Sequence, residues 1–335
     1  MMFYEPYKGK KRRERERPAR RGGCLGRLVW FACKLAFRLL LLVAVLALIA
    51  YALPPGVFQV EPEADLGITS GLPGTHTNIL LLGVDKLSDN AQRSDTIIIC
   101  SVGYNDLKLT SILRDTVVEI PGHGKDRINA AFAYGGAELA MHTVNRNFGM
   151  NISRYVVADF YTLARLVDAV GGVDLAISQA ECEQINYNNR SLIGQNALED
   201  LLGYVPERLE TYSQDGEQTV HLDGTQALAY ARIRHIDSDF ARTFRQRKLL
   251  SALSASVKRN LANPMLYVRV IRTLSTQLET NLGAVEIASL GAKALFSGEI
   301  GQLRLPADGT SQDTGGKIHV QLDANVQALR SFIYG

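Results

Sequence analysis

Apolar positions along the chain fall into three patterns. One is a single long run. Leu39 to Leu53 reads LLLLVAVLALIAYAL without a charge, and widening it to residues 29–53 admits only Lys34 and Arg38. A spanning helix needs about 20 apolar residues, and basic side chains near its end reach back to the headgroups. Trp30 suits a membrane interface, and Pro54 and Pro55 stop the helix. A cleaved signal peptide is the competing reading, with Ala50-Tyr51-Ala52 as its cleavage site, but the basic region before the run is longer than such peptides carry.

The second pattern is the short continuous apolar run. Asn78 to Val84 (NILLLGV) and Thr96 to Val102 (TIIICSV) predict strands buried on both faces. Leu107 to Leu113 alternates and predicts a third, joined to the second by the turn Gly103-Tyr104-Asn105-Asp106. Further strands are predicted at Tyr155 to Phe160, Val173 to Ile177, Gly301 to Leu305 and Ile318 to Leu322. The third pattern has helical period. It predicts helices at 129–147, at 161–170 stopped by Gly171-Gly172, from Thr225 behind a capping box at Asp223 and Gln226, and at 241–260, 264–280, 284–296 and 324–333. Phe132 and Tyr134 are predicted core residues. Residues 178–219 are polar and read as an irregular insertion. Interleaved strands and helices imply a layered α/β domain with a largely buried mixed sheet. The resulting division is a basic tail (1–28), a transmembrane helix (29–53), a linker (54–76) and a folded domain (77–335).

Charge sharpens this division. The net charge is +3 over 335 residues. Residues 1–38 hold twelve Lys or Arg against three Glu, which leaves 25 basic and 31 acidic residues for the remainder, a net of −6. The positive-inside rule keeps the tail cytoplasmic and puts everything after Pro55 outside. A nucleic-acid binder concentrates positive charge on its folded domain, so no nucleic-acid partner is expected. Hydrophobic residues make up 46% of the chain and charged ones 21%, which excludes disordered, collagen-like and disulfide-scaffold classes. Of the four cysteines only Cys100 and Cys182 fall in the exported part. A disulfide between them is left open.

Two clusters carry chemistry. Asp85 follows the first strand, Arg93 and Asp95 precede or open the second, and Arg114-Asp115 follow the third. If the second strand runs antiparallel to its neighbours, all of them meet at one end of the sheet. Two carboxylates there suit Mg²⁺, which takes one or two carboxylates plus phosphate oxygens and water. Ion pairs between each Asp and a neighbouring Arg are the competing reading. The second cluster runs from Tyr230 to Arg247. Arg242, Arg245 and Gln246 are spaced to share a helix face, whereas Arg232 and Arg234 converge only if the chain leaves the helix there. Guanidinium groups bind phosphate oxygens in pairs, so this cluster suits a pyrophosphate, against the plainer reading of a solvated charged face. His235 within it reads as a hydrogen-bonding surface residue.

With these residues assembled, the chain resembles the LytR-CpsA-Psr family of membrane-anchored cell-wall ligases. The resemblance rests on NILLLGVD (78–85), RSDTI (93–97), SILRDT (111–116), RINAAFAYGG (127–136), LVDAVGGVDL (166–175) and LDGTQALAYARIRHIDSDFARTFRQRKLL (222–250). It implies a three-layer α/β/α fold with a mixed central sheet and a hydrophobic tunnel for a polyprenyl chain. It implies transfer of a glycopolymer phosphate, such as teichoic acid or capsule, from a polyprenyl-pyrophosphate carrier to peptidoglycan at the outer face of the cell membrane. On this reading Asp85 and Asp95 are the Mg²⁺ carboxylates (Mn²⁺ being the substitute) and share catalysis with Arg114. Arg93, Arg127, Arg232, Arg234, Arg242 and Gln246 hold the pyrophosphate. Arg127 stands where the family often has Lys, and Ala130 where it often has His. A polyprenyl-pyrophosphate phosphatase and a non-enzymatic envelope regulator remain the alternatives.

Overall fold

The computed structural model describes residues 65–84, 93–193, 208–210, 216–233, 239–260 and 278–335, with a few isolated positions between 263 and 273. The expected tail, spanning helix and first part of the linker lie outside these residues. No helix among the described residues is long and apolar enough to cross a membrane.

Three strands form the centre: β1 (Thr77–Val84), β2 (Ser94–Val102) and β3 (Leu107–Ile112). β2 runs antiparallel to both neighbours, and the turn between β2 and β3 is closed by the Gly103 N–H donating to the Asp106 carbonyl at 2.9 Å. β6 (Arg154–Asp159) lies parallel beside β1, and β10 (Ile300–Leu305) parallel beside β3. With β9 (Glu279–Thr280) at the other edge, the sheet order is β10-β3-β2-β1-β6-β9, and the sheet is mixed as expected.

Both faces are covered. On one, Leu80, Leu82, Val84, Ile97, Ile99 and Ile112 pack under α1 (Ala130–Phe148) and α7 (Leu322–Tyr334). On the other, Ile79, Val102 and Leu107 meet Leu290 and Ala294 of α6 (Ala284–Phe296). α5 (Asp239–Arg259) crosses the same face, where Arg247 donates to Ser111 and Gln302. Side chains alternate between faces along each strand, so burial on both sides is what turns these segments into continuous apolar runs.

A second core joins α2 (Phe160–Ala169), β7 (Val173–Ser178), α3 (Gln179–Ile193), β8 (Glu217–Leu222) and α4 (Gly224–Ala231) to α5. Asp223 and Gln226 form the expected capping box at the start of α4. α3 corrects the irregular insertion expected at 178–219. Its buried face mixes Cys182 and Ile185 with Asn186 and Asn189, so its apolar period is diluted. Asn186 exchanges two hydrogen bonds of 2.9 Å with the Leu209 backbone, which lets an amide replace an aliphatic residue there. β8 pairs antiparallel with β7 in the same region.

A small sheet of order β11-β12-β4-β5 takes in the strand expected at Ile318 to Leu322 as β12 (Ile318–Val320) and adds β4 (Thr116–Ile120), β5 (Gly124–Arg127) and β11 (Ser311–Asp313), which the apolar pattern did not signal. Most of the helix expected at 264–280 lies outside the described residues, and its last two positions are β9. Residues 65–76, the end of the expected linker, lie against α1: the Leu66 carbonyl accepts from Asn145 at 2.9 Å, and Leu66 is buried. Cys100 and Cys182 are both free.

Candidate active site

The antiparallel setting of β2 brings the end of β1, the start of β2 and the end of β3 to one edge. Val84 faces Ser94 across a register shift that begins at Gly83. Gly83 has a steric reason: a Cβ there would stand 2.8 Å from the Thr96 Cβ. The shift is a bulge, which re-aims side chains at the end of a strand pair. Just past it, Asp95 faces Arg114. The turn that carries Arg114 is closed by the Thr116 N–H donating to Leu113 O at 3.1 Å.

Arg114 Nη1 donates to Asp95 Oδ1 at 2.7 Å, with both side chains about one-fifth exposed. Its Nε lies 3.4 Å from Asp115 Oδ2, and Asp115 Oδ1 lies 3.5 Å from Arg127 Nε. A row of alternating charge therefore runs from Asp95 to Arg127. Arg242, only 2% exposed, comes in from α5 and donates through Nη2 to the Asp95 carbonyl at 3.4 Å. One helical turn on, Gln246 is buried, and its Oε1 accepts no hydrogen bond among the described residues.

Arg93 is exposed just before β2 and interacts with Asp126. The Asp126 carboxyl is held below its ordinary range, first by the Arg127 N–H, then by the Tyr134 hydroxyl, with the charges of Arg93 and Lys317 adding to them. Arg232 caps the C-terminus of α4 half-buried, so the chain does leave the helix there. Asp85, Arg234 and His235 lie outside the described residues.

The motif arginines divide. Arg245 does not share the Arg242 surface. It is 3% exposed and donates to Glu181 Oε1 of α3 at 2.8 Å and to the Ile233 carbonyl at 3.4 Å. Arg247 reaches Ser111 Oγ at 2.8 Å and Gln302 Oε1 at 3.2 Å, and burial, then the neighbouring Arg304 charge, brings its pKa down to about 10. Tyr134 is a further correction: it is 47% exposed rather than core. α1 breaks at Gly135 and Gly136, the latter at φ 64°, and the ring stacks on His123 at 4.5 Å while its hydroxyl donates to Asp126 at 2.8 Å. Asp115 and Asp126 received no role from the sequence. Their signal was the juxtaposition of opposite charges in Arg114-Asp115 and Asp126-Arg127.

A mixed α/β domain with Asp95 and Asp115 set among several arginines at a sheet edge suits an anionic ligand. The chain belongs to the LytR_cpsA_psr family, whose model matches residues 63–330. It is similar to the polyisoprenyl-teichoic acid–peptidoglycan teichoic acid transferase TagU of Enterococcus faecalis, at 32% identity over 246 residues, spanning 70% of this chain and 72% of that protein. It is similar to the regulatory protein MsrR of Staphylococcus aureus, at 26% identity, spanning 76% of this chain and 74% of that one. Among solved structures, TagT bound to LIIa-WTA superposes with a TM-score of 0.60 at 25% identity, over 82% of this chain and 94% of TagT.

Proposed function

We propose that this chain is a membrane-anchored extracytoplasmic transferase. It moves a glycopolymer phosphate from a polyprenyl-pyrophosphate carrier to a hydroxyl of peptidoglycan, and residues 29–53 are its anchor. The observation that carries the reading is the Asp95–Arg114 pair with Arg242 closing on the Asp95 backbone. The family membership and the name of the enterococcal relative point to the same reaction.

The donor set fits Mg²⁺. Magnesium is commonly held by one or two carboxylates, with phosphate oxygens and water completing its shell. Among the described residues no three His, Cys, Asp or Glu side chains gather, and Asp95, paired with Arg114, is the carboxylate this edge would offer the ion. The buried Gln246 Oε1 adds an acceptor for a water or sugar hydroxyl. Asp95, with Asp85 beside it in the motif, would hold the ion, which supplies neutralisation of charge on the transferring phosphate.

The chain's own residues do the rest. Arg114 and Arg242 bind the pyrophosphate oxygens and stabilise charge as the P–O–P bond breaks. Arg93, Arg127, Arg232, Arg234 and Gln246 orient the rest of the headgroup. Asp115 holds Arg114 and Arg127 in place. The polyprenyl tail runs along the apolar second face of the sheet. The acceptor hydroxyl oxygen attacks the polymer-linked phosphorus and displaces polyprenyl phosphate, which takes up the hydroxyl proton as the phosphodiester forms.

The test is incubation of the purified full chain in detergent with a polyprenyl-pyrophosphate-linked glycopolymer and peptidoglycan fragments. Polymer joined to the fragments, polyprenyl phosphate released in equal amount, and loss of both on chelation are the expected results. Inorganic phosphate without an acceptor would replace the reading by a phosphatase. Tight lipid binding with no product would favour a regulator, the role in the name of the staphylococcal relative.

A further inference from the structure

α6 is built inside out. A surface helix ordinarily turns apolar residues to the core and polar ones to water. Here the buried positions Glu286, Ser289, Leu290 and Lys293 recur at helical spacing, and three of the four are polar. They are satisfied inside: Glu286 Oε1 accepts from Arg154 Nε at 2.7 Å, its Oε2 accepts from the Gly283 N–H at 2.7 Å, and Lys293 Nζ donates to Ser289 Oγ at 2.9 Å. The outward side carries Val285 at 62% exposure, Ile287 at 39% and Phe296 at 69%, with Ala288 and Gly291 between them. No charged residue of α6 faces out.

The helix has a definite place. Its first turn is tied to Arg154 at the start of β6, and just past its end the Gly298 N–H donates to the Asn105 carbonyl in the β2–β3 turn. It therefore lies across the end of the sheet opposite Asp95 and Arg114. The N-terminal segment enters at that same end: the Thr69 N–H donates to the Met150 carbonyl, and Leu66 lies against the last turns of α1. Exposed Tyr104 stands at this end, and the partly buried Lys258 donates to the Ser297 carbonyl at 2.7 Å. Aromatic and lysine side chains at a rim suit a headgroup layer.

We propose that the outward face of α6 docks into the outer leaflet of the bilayer. This rests on the anchor at residues 29–53. The stretch from Pro54 to Ala64 then spans at most about 40 Å when fully extended, which keeps this end of the domain within reach of the bilayer surface. An apolar helix face can sit about 5–10 Å into the headgroup and acyl boundary. Docking at this end leaves the arginine site at the far end of the sheet, with the second face between them as the path of the lipid tail. Inside, Glu286, Ser289 and Lys293 are hydrogen-bonded beside the short apolar contact of Leu290 and Ala294, which leaves Val285, Ile287 and Phe296 for the outward side.

The chain has one tryptophan, Trp30, so Phe296→Trp in a Trp30→Phe background reports on α6 alone. The full-length variant is placed in vesicles of phosphatidylglycerol and brominated phosphatidylcholine. Tyr187→Trp in the same background is the control, at a position 65% exposed on α3. The expected result is that brominated chains quench most of the indole emission of the Phe296→Trp protein and none of that of the Tyr187→Trp protein. Flotation of the same vesicles reads the anchor separately. A Phe296→Trp chain that floats with its indole unquenched overturns the docking and leaves the anchor standing; a chain that does not float overturns both. An indole at position 296 shielded from iodide in detergent would also overturn the proposal, by showing that protein covers the face.

Discussion

Arg245 and Arg114 both belong to arginine-bearing motifs, yet they sit in different surroundings. Arg245→Met removes the guanidinium and keeps most of the stem. It leaves Glu181 without the partner it meets at 2.8 Å, in a site where Arg245 is 3% and Glu181 13% exposed by side chain. Breaking one side of a buried pair costs about 3–5 kcal/mol, because the surviving charge stays desolvated. For a domain of this size each kcal/mol lowers the melting temperature by about 2–4 °C, so a fall on the order of 10 °C is expected. The assay is thermal unfolding of the full chain, paired with the transfer reaction well below the melting point. Transfer per folded molecule should stay within about tenfold of the parent, since Arg245 is aimed at α3 rather than at the phosphate. Adding Glu181→Gln, which keeps an acceptor for the Ser178 N–H, should restore much of the lost stability. An unchanged melting temperature with abolished transfer would refute this account and put Arg245 back in the pyrophosphate site.

Arg114→Ala should show the reverse split. Transfer falls about 10²–10³-fold as an electrostatic stabiliser is lost, while stability changes by only about 1–3 kcal/mol because the Asp95 pair is partly open to water; retention of transfer within tenfold would contradict the role. Arg247→Met tests the burial of a cation among neutral partners. A pKa brought down to about 10 means that the folded state resists protonation, so stability should rise as pH climbs from about 10 toward the ordinary arginine value, where the unfolded chain binds the extra proton. The Met variant should be more stable at pH 7 by roughly 1–2 kcal/mol, after about 1 kcal/mol per lost hydrogen bond is set against the desolvation; denaturant titration with a lower midpoint would count against it. Gly83→Ala should destabilise by about 1–3 kcal/mol through overpacking. Thr96→Gly should rescue it and Thr96→Ser should not, because the clash is between Cβ atoms 2.8 Å apart.

The sequence was most legible where one physical demand dominated. β1 and β2 are buried on both faces, and the demand for apolar side chains at every position wrote NILLLGV and TIIICSV. The meeting of Asp95 with Arg114 followed from strand direction alone, and the capping box at Asp223 from local geometry. α3 was illegible because Asn186 is buried as a hydrogen-bonding residue, a solution that depends on Leu209, over 20 residues away. Of the small sheet only β12 was legible: β4, β5 and β11 are too short to show a period, and β4 finds its partner β12 about 200 residues on. The division between Arg242 and Arg245 was equally hidden, since helical spacing says that two side chains are near each other and nothing of the acid that claims one of them.

The pairing of β3 with β10 also bears on how the protein comes to be folded. Ile112 meets Leu305, and α7 then seals the first face with Leu329 and Ile333, while the Tyr334 hydroxyl accepts from Asn78 at 2.8 Å. The first strands to be made thus acquire their last partners from the last segments made. Contacts of such long sequence separation slow folding, and they leave the early strands open while synthesis proceeds. A polypeptide delivered across a membrane from its N-terminus would hold β1 to β3 as an unfinished sheet until α7 arrives. The domain closes only once α7 is in place, and shortening the chain by α7 should yield aggregation rather than a smaller stable domain.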